Sequence, residues 1–584
     1  MNQRIARKPY LKLFFILCFS CFWSYKGYCQ GRREVIDVSA FGAGVDDGRD
    51  DTRSLREAVK KARQTPGSTL YFPVGRYLIS DPKAIQIQQD ALTGKLGANP
   101  QDELYVHNKE YVIGLDFDGA KDLKIEADGA ELLCDGWMEP VSFRNAENIT
   151  LNGLTIDYKR PANSAGKIIN MGKDYVDVKF AAEDPVDDKM IMIRIMIYDE
   201  NRQSLVGPAV YHKTKELIAP QTMRFYGTTI RQQAELGRVL MVWSGFHYRP
   251  AILIYKTRNI TLNDVTIHSQ AGMGIVGHLS EDIALNRLKV VPRRGRYISS
   301  NTDATHFATN RGYIRFVNCE FEGQGDDATN VHNYYAHIVS RSSDNVCETF
   351  LGEKNPTHSS YQDEPMAGDI LAVVKKSTLE EIGYIKVRRF WANPETRRVK
   401  IEFDGYLPDN TEDYYLANMT ACPQLEFLDS RVKSHRARSV LVKTRRVRIE
   451  GNSFENTTGT AIHIGAEGDW GEGVASEDVV VKNNTFTNCG LGGADDGTID
   501  DASAIAAHVK APKRDRPGLH KRLLFEGNEI SGGIHAITIK NAEDVIIRNN
   551  VFTDMSEAPV VVGASRRVHV YNNKGAEDFR VGEE

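Results

Sequence analysis

The sequence predicts an all-β chain built as a right-handed parallel β-helix, and three observations carry that expectation. The first is self-similarity. Short apolar strands that close on Asn, Asp or Gly recur along the chain, with anchors at Leu262, Leu285, Phe316, Phe427, Ile449, Val481, Phe525, Ile547 and Val570. Four of the steps between neighbouring anchors are 22 or 23, and the wider step from Val481 to Phe525 reads as two of these. A fixed period in this range is the mark of a solenoid. The second observation is strand type. Each copy alternates apolar with polar residues and uses Ile, Val, Phe and Thr. The third is that nothing helical lies between copies such as 523–530 and 545–552. Asn at the bends suits the geometry, because Asn tolerates left-handed backbone and can bond to the Asn of the next coil. A β-sandwich is the competing fold, and it does not require a constant period.

The elements follow in order. Residues 1–29 form a signal peptide: Arg4, Arg7, Lys8 and Lys12 precede an apolar run over 13–23, and a small-residue cleavage region ends at Cys29. The run is too short for a membrane span. Cys21 offers the alternative of a lipid-modified cysteine, but its neighbours suit that signal less well. Secretion or a periplasmic location is the expectation. Residues 30–158 hold an N-terminal cap and the first coils. Asp50, Asp51 and Thr52 begin a helix over 53–63 whose apolar face is Leu55, Val59 and Ala62. A helix there covers the open end of the solenoid and blocks edge pairing.

Two interruptions of equal length, Leu151 to Leu262 and Phe316 to Phe427, are each too long for one coil. They place antiparallel β-barrel-like inserts at 159–250 and 341–422, with helical coils at 251–340 and 423–584. Inserts in a repeat array map to the face where ligands bind. The composition is that of an ordinary globular chain, with 584 residues, 41% hydrophobic and 26% charged. The formal net charge of −4 gives no reason to expect nucleic acid as a partner. Of eight cysteines, three lie in the leader. The other five are scattered without a CxxC pair, which excludes a disulfide scaffold and a zinc site.

The chemistry is carried by carboxylates. Asn301-Thr302-Asp303 is followed, one repeat period further on, by Gly325-Asp326-Asp327. The step from Asp303 to Asp326 matches that from Leu262 to Leu285, so the two clusters fall on neighbouring coils. Strands of adjacent coils lie about 4.8 Å apart, and side chains leaning apart across that step approach the roughly 6.5–9.5 Å that admits a water between acid and base. Three close carboxylates do not all stay charged. One should rise in pKa and act as the acid while another remains ionised. Adjacent residues of a strand face opposite sides, so Asp326 and Asp327 share a groove only if the chain bends, which Gly323 and Gly325 allow. A solvated turn and a calcium site are the alternatives. The calcium-dependent lyases also need a basic proton acceptor, and no obvious Arg accompanies the cluster. Among weaker candidates, Asn330, His332, Glu467 and Trp470 are read as substrate-binding. His306 and Asp469 have the same ambiguity, and Lys443 and Arg445 are read as solvated strand-end charges.

The stretch from Thr302 to Phe307, then Gln324-Gly325-Asp326-Asp327-Ala328-Thr329-Asn330-Val331-His332, resembles the bacterial α-1,3-galactosidases of glycoside hydrolase family 110. The two acid motifs are shared with the polygalacturonases, whose Gly-His-Gly and Arg-x-Lys have no convincing counterpart here. The resemblance implies an inverting exo-glycosidase without cofactor or metal. It implies removal of terminal α-1,3-linked galactose from blood group B-type or linear glycans. It makes Asp303 the acid and Asp326 and Asp327 the base candidates. The expected partner is that glycan, with no membrane span and a homodimer as the assembly to test. A pectin-type hydrolase and a non-catalytic β-helix glycan binder are the competing functions.

Overall fold

The computed structural model describes residues 33–97, 111–245, 247–351, 364–393, 395–492 and 503–582; the expected signal peptide at 1–29 lies outside them. The chain winds as a parallel β-helix. One long sheet contains every anchor strand and its short companion, and a second contains strands such as Ile275–His278, Thr305–Ala308, Thr329–Tyr334, Val440–Val442 and Ile462–Glu467. The core between the sheets is Ile, Leu, Val and Phe, with Phe427, Phe454 and Phe486 stacked at centroid spacings of 6.3 and 4.9 Å.

The register of the anchors is as the repeat requires. Leu262 pairs with Leu285, Leu285 with Phe316, Phe316 with Phe427, and Phe427 with Ile449. Ile449 then pairs with Val481, Val481 with Phe525, Phe525 with Ile547, and Ile547 with Val570. The Val481–Phe525 pairing corrects one expectation. The step between these two anchors is a single long coil, not two, because it carries extra chain around Ser503–Lys510.

A buried asparagine column fixes this register. Asn452 Nδ2 donates to Asn484 Oδ1 (2.9 Å), Asn484 to Asn528 (3.0 Å), Asn528 to Asn550 (3.0 Å) and Asn550 to Asn573 (2.9 Å). The same oxygens accept the backbone N–H of the preceding column member. The residue before each is Gly451, Asn483, Gly527, Asn549 or Asn572, all with φ between 54° and 73°. A left-handed residue turns the chain and the next Asn enters the ladder, which explains why these turns read Gly-Asn or Asn-Asn.

Helix α1 (Thr52–Arg63) buries Leu55, Ala58, Val59 and Ala62. Its Arg56 donates to the carbonyls of Ile113 (2.7 Å) and Gly114 (3.1 Å), occupying the end strand of the second sheet. A second helix, α2 (Pro82–Leu92), was not anticipated; Asp81 caps it and Pro82 opens it. The five cysteines are buried free thiols. The second insert is a closed six-stranded antiparallel barrel between Ala336 and Asn418. The first corrects the barrel-like expectation, since its strands pair as an open seven-stranded sheet. Its end strand Ser204–Leu205 is only two residues long and cannot continue the pairing. Residues 228–233, next to an expected strand, form a helix instead.

Replacing Asn528 by Ala breaks the middle of the asparagine column and leaves buried partners unsatisfied. Urea unfolding is expected to show a loss of about 1–3 kcal/mol.

Candidate active site

The acids lie at the entry to the second sheet, and its register places them. Thr305 pairs with Thr329 and His306 with Asn330. Thr329 pairs in turn with Val440, and Asn330 with Leu441. Counting back two residues from each of the three strands, Asp303, Asp327 and Arg438 are stacked equivalents on successive coils. Backbone bonds confirm the stack: Ala304 N–H donates to Asp327 O at 2.9 Å, and Ala328 N–H to Arg438 O at 3.0 Å. The repeat period had matched Asp303 with Asp326, whereas the direct neighbour is Asp327. Asp303, Asp326 and Asp327 nevertheless converge, each with an oxygen within 4.8 Å of the others. The side chain of Asp326 is 24% exposed, against 8% for Asp303 and 4% for Asp327, so the cluster opens to solvent through Asp326.

Gly325 makes the convergence possible. A Cβ there would sit 2.1 Å from the Asn301 carbonyl oxygen and 2.8 Å from Trp243 Nε1. Trp243 belongs to the first insert, which grips the acid loops elsewhere too. Arg194 Nη1 donates to Gly325 O at 2.5 Å, Asn163 Nδ2 to Asn301 Oδ1 at 3.3 Å, and Asn301 Nδ2 to Gly245 O at 2.9 Å.

Electrostatics separates the three carboxyls. Burial, with the Asp327 and Asp326 charges adding to it, pushes Asp303 up to about 7 despite its bond with His306. Burial also works on Asp326, but Arg436, Arg194 and Arg438 outweigh it and hold this carboxyl below its usual range. Arg436 reaches Asp326 Oδ1 at 2.8 Å. Asp327 is gripped bidentately by Arg438, Nε to Oδ1 at 3.0 Å and Nη2 to Oδ2 at 3.1 Å, with the Arg438 N–H on Oδ1 at 2.9 Å. One carboxyl is thereby pushed toward keeping its proton near neutrality beside one held ionised, a division that general acid–base chemistry can use.

Charged residues behind the acids orient them. Glu467, fully buried, accepts from Arg438 (3.1 Å), Lys443 (2.5 Å) and Lys510 (3.0 Å). It positions Arg438 rather than facing a sugar, which corrects its reading as a substrate contact. Lys443 corrects another: it is wholly buried between Glu467 and Glu472, not solvated. Arg445 is ion-paired with Glu381 and, at 3.2 Å, with Glu477. Asn330 donates to Glu472 Oε2 at 3.1 Å, while its Oδ1 is buried without a hydrogen-bond partner among the described residues. His332 is buried and bonded to His306, which in turn holds Asp303. Trp470 is 52% exposed and lines a cleft whose lining does not include the three aspartates. Tyr415, Lys376 and Asp469 share that cleft, of about 990 Å³, against the barrel insert.

Arg436 and Arg438 overturn the expectation that no arginine accompanies the acids. A signal for them existed: the step from Asp327 to Arg438 equals that from Phe316 to Phe427 across the second insert. Arg194 and His247, whose charges also lower the Asp326 pKa, come from the first insert, and no periodicity could place them. Nor does Arg438 serve as a lyase base, because Asp327 and Glu467 outweigh burial and raise its pKa well above the normal value.

Among the described residues, two groups present ligand atoms at metal-binding spacing, the three aspartates and His306-His332-Glu472. The first is already neutralised by guanidinium groups and the second by the Lys443 ammonium. A cation would have to displace charge partners at either place.

Converging carboxylates at the mouth of a parallel β-helix are the equipment of the glycosidase class. Over most of its length the chain is similar to bacterial α-1,3-galactosidases. It is 25% identical over 568 residues to α-1,3-galactosidase A of Bacteroides fragilis, covering 93% of this chain and 91% of that one. It is 24% identical over 572 residues to α-1,3-galactosidase A of Shewanella woodyi, covering 92% and 88%. It is 27% identical over 515 residues to α-1,3-galactosidase B of Phocaeicola vulgatus, covering 82% of each. No family model matches the chain. Among solved structures, the A-module of mannuronan C-5 epimerase AlgE4 from Azotobacter vinelandii aligns at TM-score 0.41 and 11% identity, over 90% of this chain and 97% of that one. A family 28 exopolygalacturonase of Yersinia enterocolitica aligns at TM-score 0.41 and 12% identity, over 93% and 79%.

Gly325→Ala is expected to abolish activity, because a methyl group cannot occupy the space beside the Asn301 carbonyl. Circular dichroism should show the β-helix retained, since the clash is confined to the acid loop.

Proposed function

We propose that this chain is a secreted exo-glycosidase that hydrolyses terminal α-1,3-linked galactose from glycans of blood group B type or linear α-galactosyl type. The observation that carries the reading is the pairing of a carboxyl protonated near neutrality, Asp303, with an ionised one, Asp326, within 4.8 Å. Asp303 protonates the glycosidic oxygen as its bond to C1 breaks. Asp326 takes the proton of the water that attacks C1. Asp327, held on both oxygens by Arg438, fixes the geometry and keeps that guanidinium beside the base. Kinship with the α-1,3-galactosidases supplies the substrate class, and the basic, apolar N-terminus supports secretion.

Inversion is the stereochemistry we propose, with water activated at Asp326. The short oxygen spacing supports a second reading, retention, for which carboxyl groups about 5–5.5 Å apart are usual. Proton NMR of the first-formed sugar separates them, β-galactose marking inversion and α-galactose retention.

Release of galactose from Gal-α-1,3-Gal is the direct test, and no release from any α-1,3-galactoside would end the proposal. Asp326→Asn is expected to lower kcat by at least about 10²-fold, the usual contribution of general acid–base catalysis. The pH profile should be bell-shaped. Activity falls above about pH 7 as Asp303 loses its proton, and falls in acid, below the ordinary carboxylate range, as Asp326 gains one. Dialysis against a chelator is expected to leave the rate unchanged.

A further inference from the structure

The barrel insert and the solenoid meet around a cleft that the three aspartates do not line. Its volume of about 990 Å³ lies at the upper end of the roughly 300–1,000 Å³ usual for ligand sites. One wall is barrel, with His337, Lys376 and Tyr415. The other is solenoid, with the turn 468–471 and the stretch from Lys510 to Arg514.

The solenoid wall is clamped. The turn 468–471 joins strands Ile462–Glu467 and Glu472–Gly473, which pair at Glu467 and Glu472. Gly468 N–H donates to the Lys510 carbonyl at 2.9 Å, and Tyr335 N–H to the Gly471 carbonyl at 2.8 Å. The Tyr415 hydroxyl donates to the Gly468 carbonyl at 3.4 Å, and Lys513 N–H reaches the Ser377 carbonyl of the insert at 2.9 Å. At the tip of this fixed turn, Asp469 and Trp470 are exposed. An indole held in water on a clamped turn is a preformed stacking surface, since a ligand there orders little that is not already ordered.

The lining is of three chemical kinds. Trp470 and Tyr415 offer flat apolar faces, and Tyr415 is itself stacked on Tyr335 at 5.2 Å. Asp469 and Glu412 offer carboxylate acceptors. Lys376, Arg397, Arg398, Lys510 and Arg514 offer five cations against those two carboxylates. Arg398 also meets Glu348 and Lys510 also meets Glu467, each at 3.0 Å, which reduces the positive excess of the lining without reversing it. Lys376 lies over the Tyr415 ring at 5.1 Å, and burial holds its pKa below the usual lysine range although Asp413 and Glu412 pull the other way. An anion would meet a poorly hydrated ammonium there.

One class of ligand uses all three kinds. A ring stacks on the C–H face of a sugar, carboxylates accept from its hydroxyls, and cations pair with an acidic group that the sugar bears. Single-stranded DNA would suit the rings and the cations, but its phosphates give Asp469 and Glu412 nothing to accept. The formal net charge of −4 also opposes a long polyanion. We propose that this cleft is a second, non-catalytic glycan site that takes an anionic saccharide bearing sulfate or carboxylate groups, with Trp470 as its stacking platform. The site does not depend on the roles of the three aspartates.

Titration calorimetry on the full chain tests this with three probes of equal length: a sulfated β-galactan oligosaccharide, an oligogalacturonate and an unsulfated β-galactan oligosaccharide. None carries a terminal α-1,3-linked galactose. At least one anionic probe is expected to bind about 10-fold or more tightly than the neutral one, and the stronger of the two identifies sulfate or carboxylate as the group recognised. Trp470→Ala should weaken that binding by up to about 10-fold, with the circular dichroism unchanged. Arg397→Asn combined with Arg514→Gln should weaken the anionic probe and spare the neutral one; Asn suits the φ of 55° at residue 397. Asp326→Asn, which lowers hydrolysis under the catalytic reading, should bind the anionic probe as the unmodified chain does, so the two readings fail separately. The proposal is overturned if neither anionic probe binds, if the neutral probe binds as tightly as both, or if Trp470→Ala leaves binding unmoved. Tighter binding of a single-stranded DNA oligonucleotide of equal charge would also overturn it.

Discussion

Coil-to-coil register is the constraint on which everything else depends. A side chain in a β-helix stands in a column of equivalent side chains from successive coils. What it meets is the residue at the same position one coil above or below. The column Asn452-Asn484-Asn528-Asn550-Asn573 holds those positions by bonding each amide to the next, to the backbone N–H below it and to a carbonyl of the wall. A slip by one residue would unpair the buried amides of this column and turn the alternating Ile, Val and Phe of every strand outward. The pairing of Thr305 with Thr329, which puts Asp303 over Asp327, follows from the same rule on the second sheet.

The site is a balance of buried charge. Burying acids close together is unfavourable unless cations and hydrogen bonds compensate. Here the compensation is unequal. Asp326 and Asp327 are matched by Arg436 and Arg438, while the ion-pair partner of Asp303 among the described residues is His306. Asp303 is pushed up to about 7 and Asp326 is held below its usual range, while burial still lifts Asp327 above its usual range despite Arg438. Glu467 and Lys443 have no need to touch substrate, since Glu467 fixes the direction of Arg438 and Lys443 fixes Glu467 and Glu472.

The inserts contribute differently. The first reaches over the acid loops with Arg194, Trp243 and Asn163, and so completes the electrostatics of the site. The second leaves directly from the strand Thr329–Tyr334 and returns to the coil that carries Arg436 and Arg438. It sets far apart in the chain two positions, Thr329 and Val440, that are neighbours in space. Its barrel wall and the turn bearing Trp470 enclose a cleft of their own.

The sequence by itself determined the solenoid and the meeting of the acids. Apart from the step from Val481 to Phe525, the anchors pair as the repeat implies, because a strand period and its turn residues are local properties written in every copy. The same periodicity, carried across the second insert from Phe316 to Phe427, contained Arg438 as well. The second sheet was largely invisible: strands such as Ile275–His278 and Thr329–Tyr334 are buried on both faces and do not alternate. Only the tertiary structure decided how burial and charge shift the three aspartates, that Lys443 is buried, that His332 stands behind His306, and that Trp470 lines the cleft against the barrel insert. These depend on burial and on charges brought from distant segments, and neither is encoded in the spacing of residues along one strand.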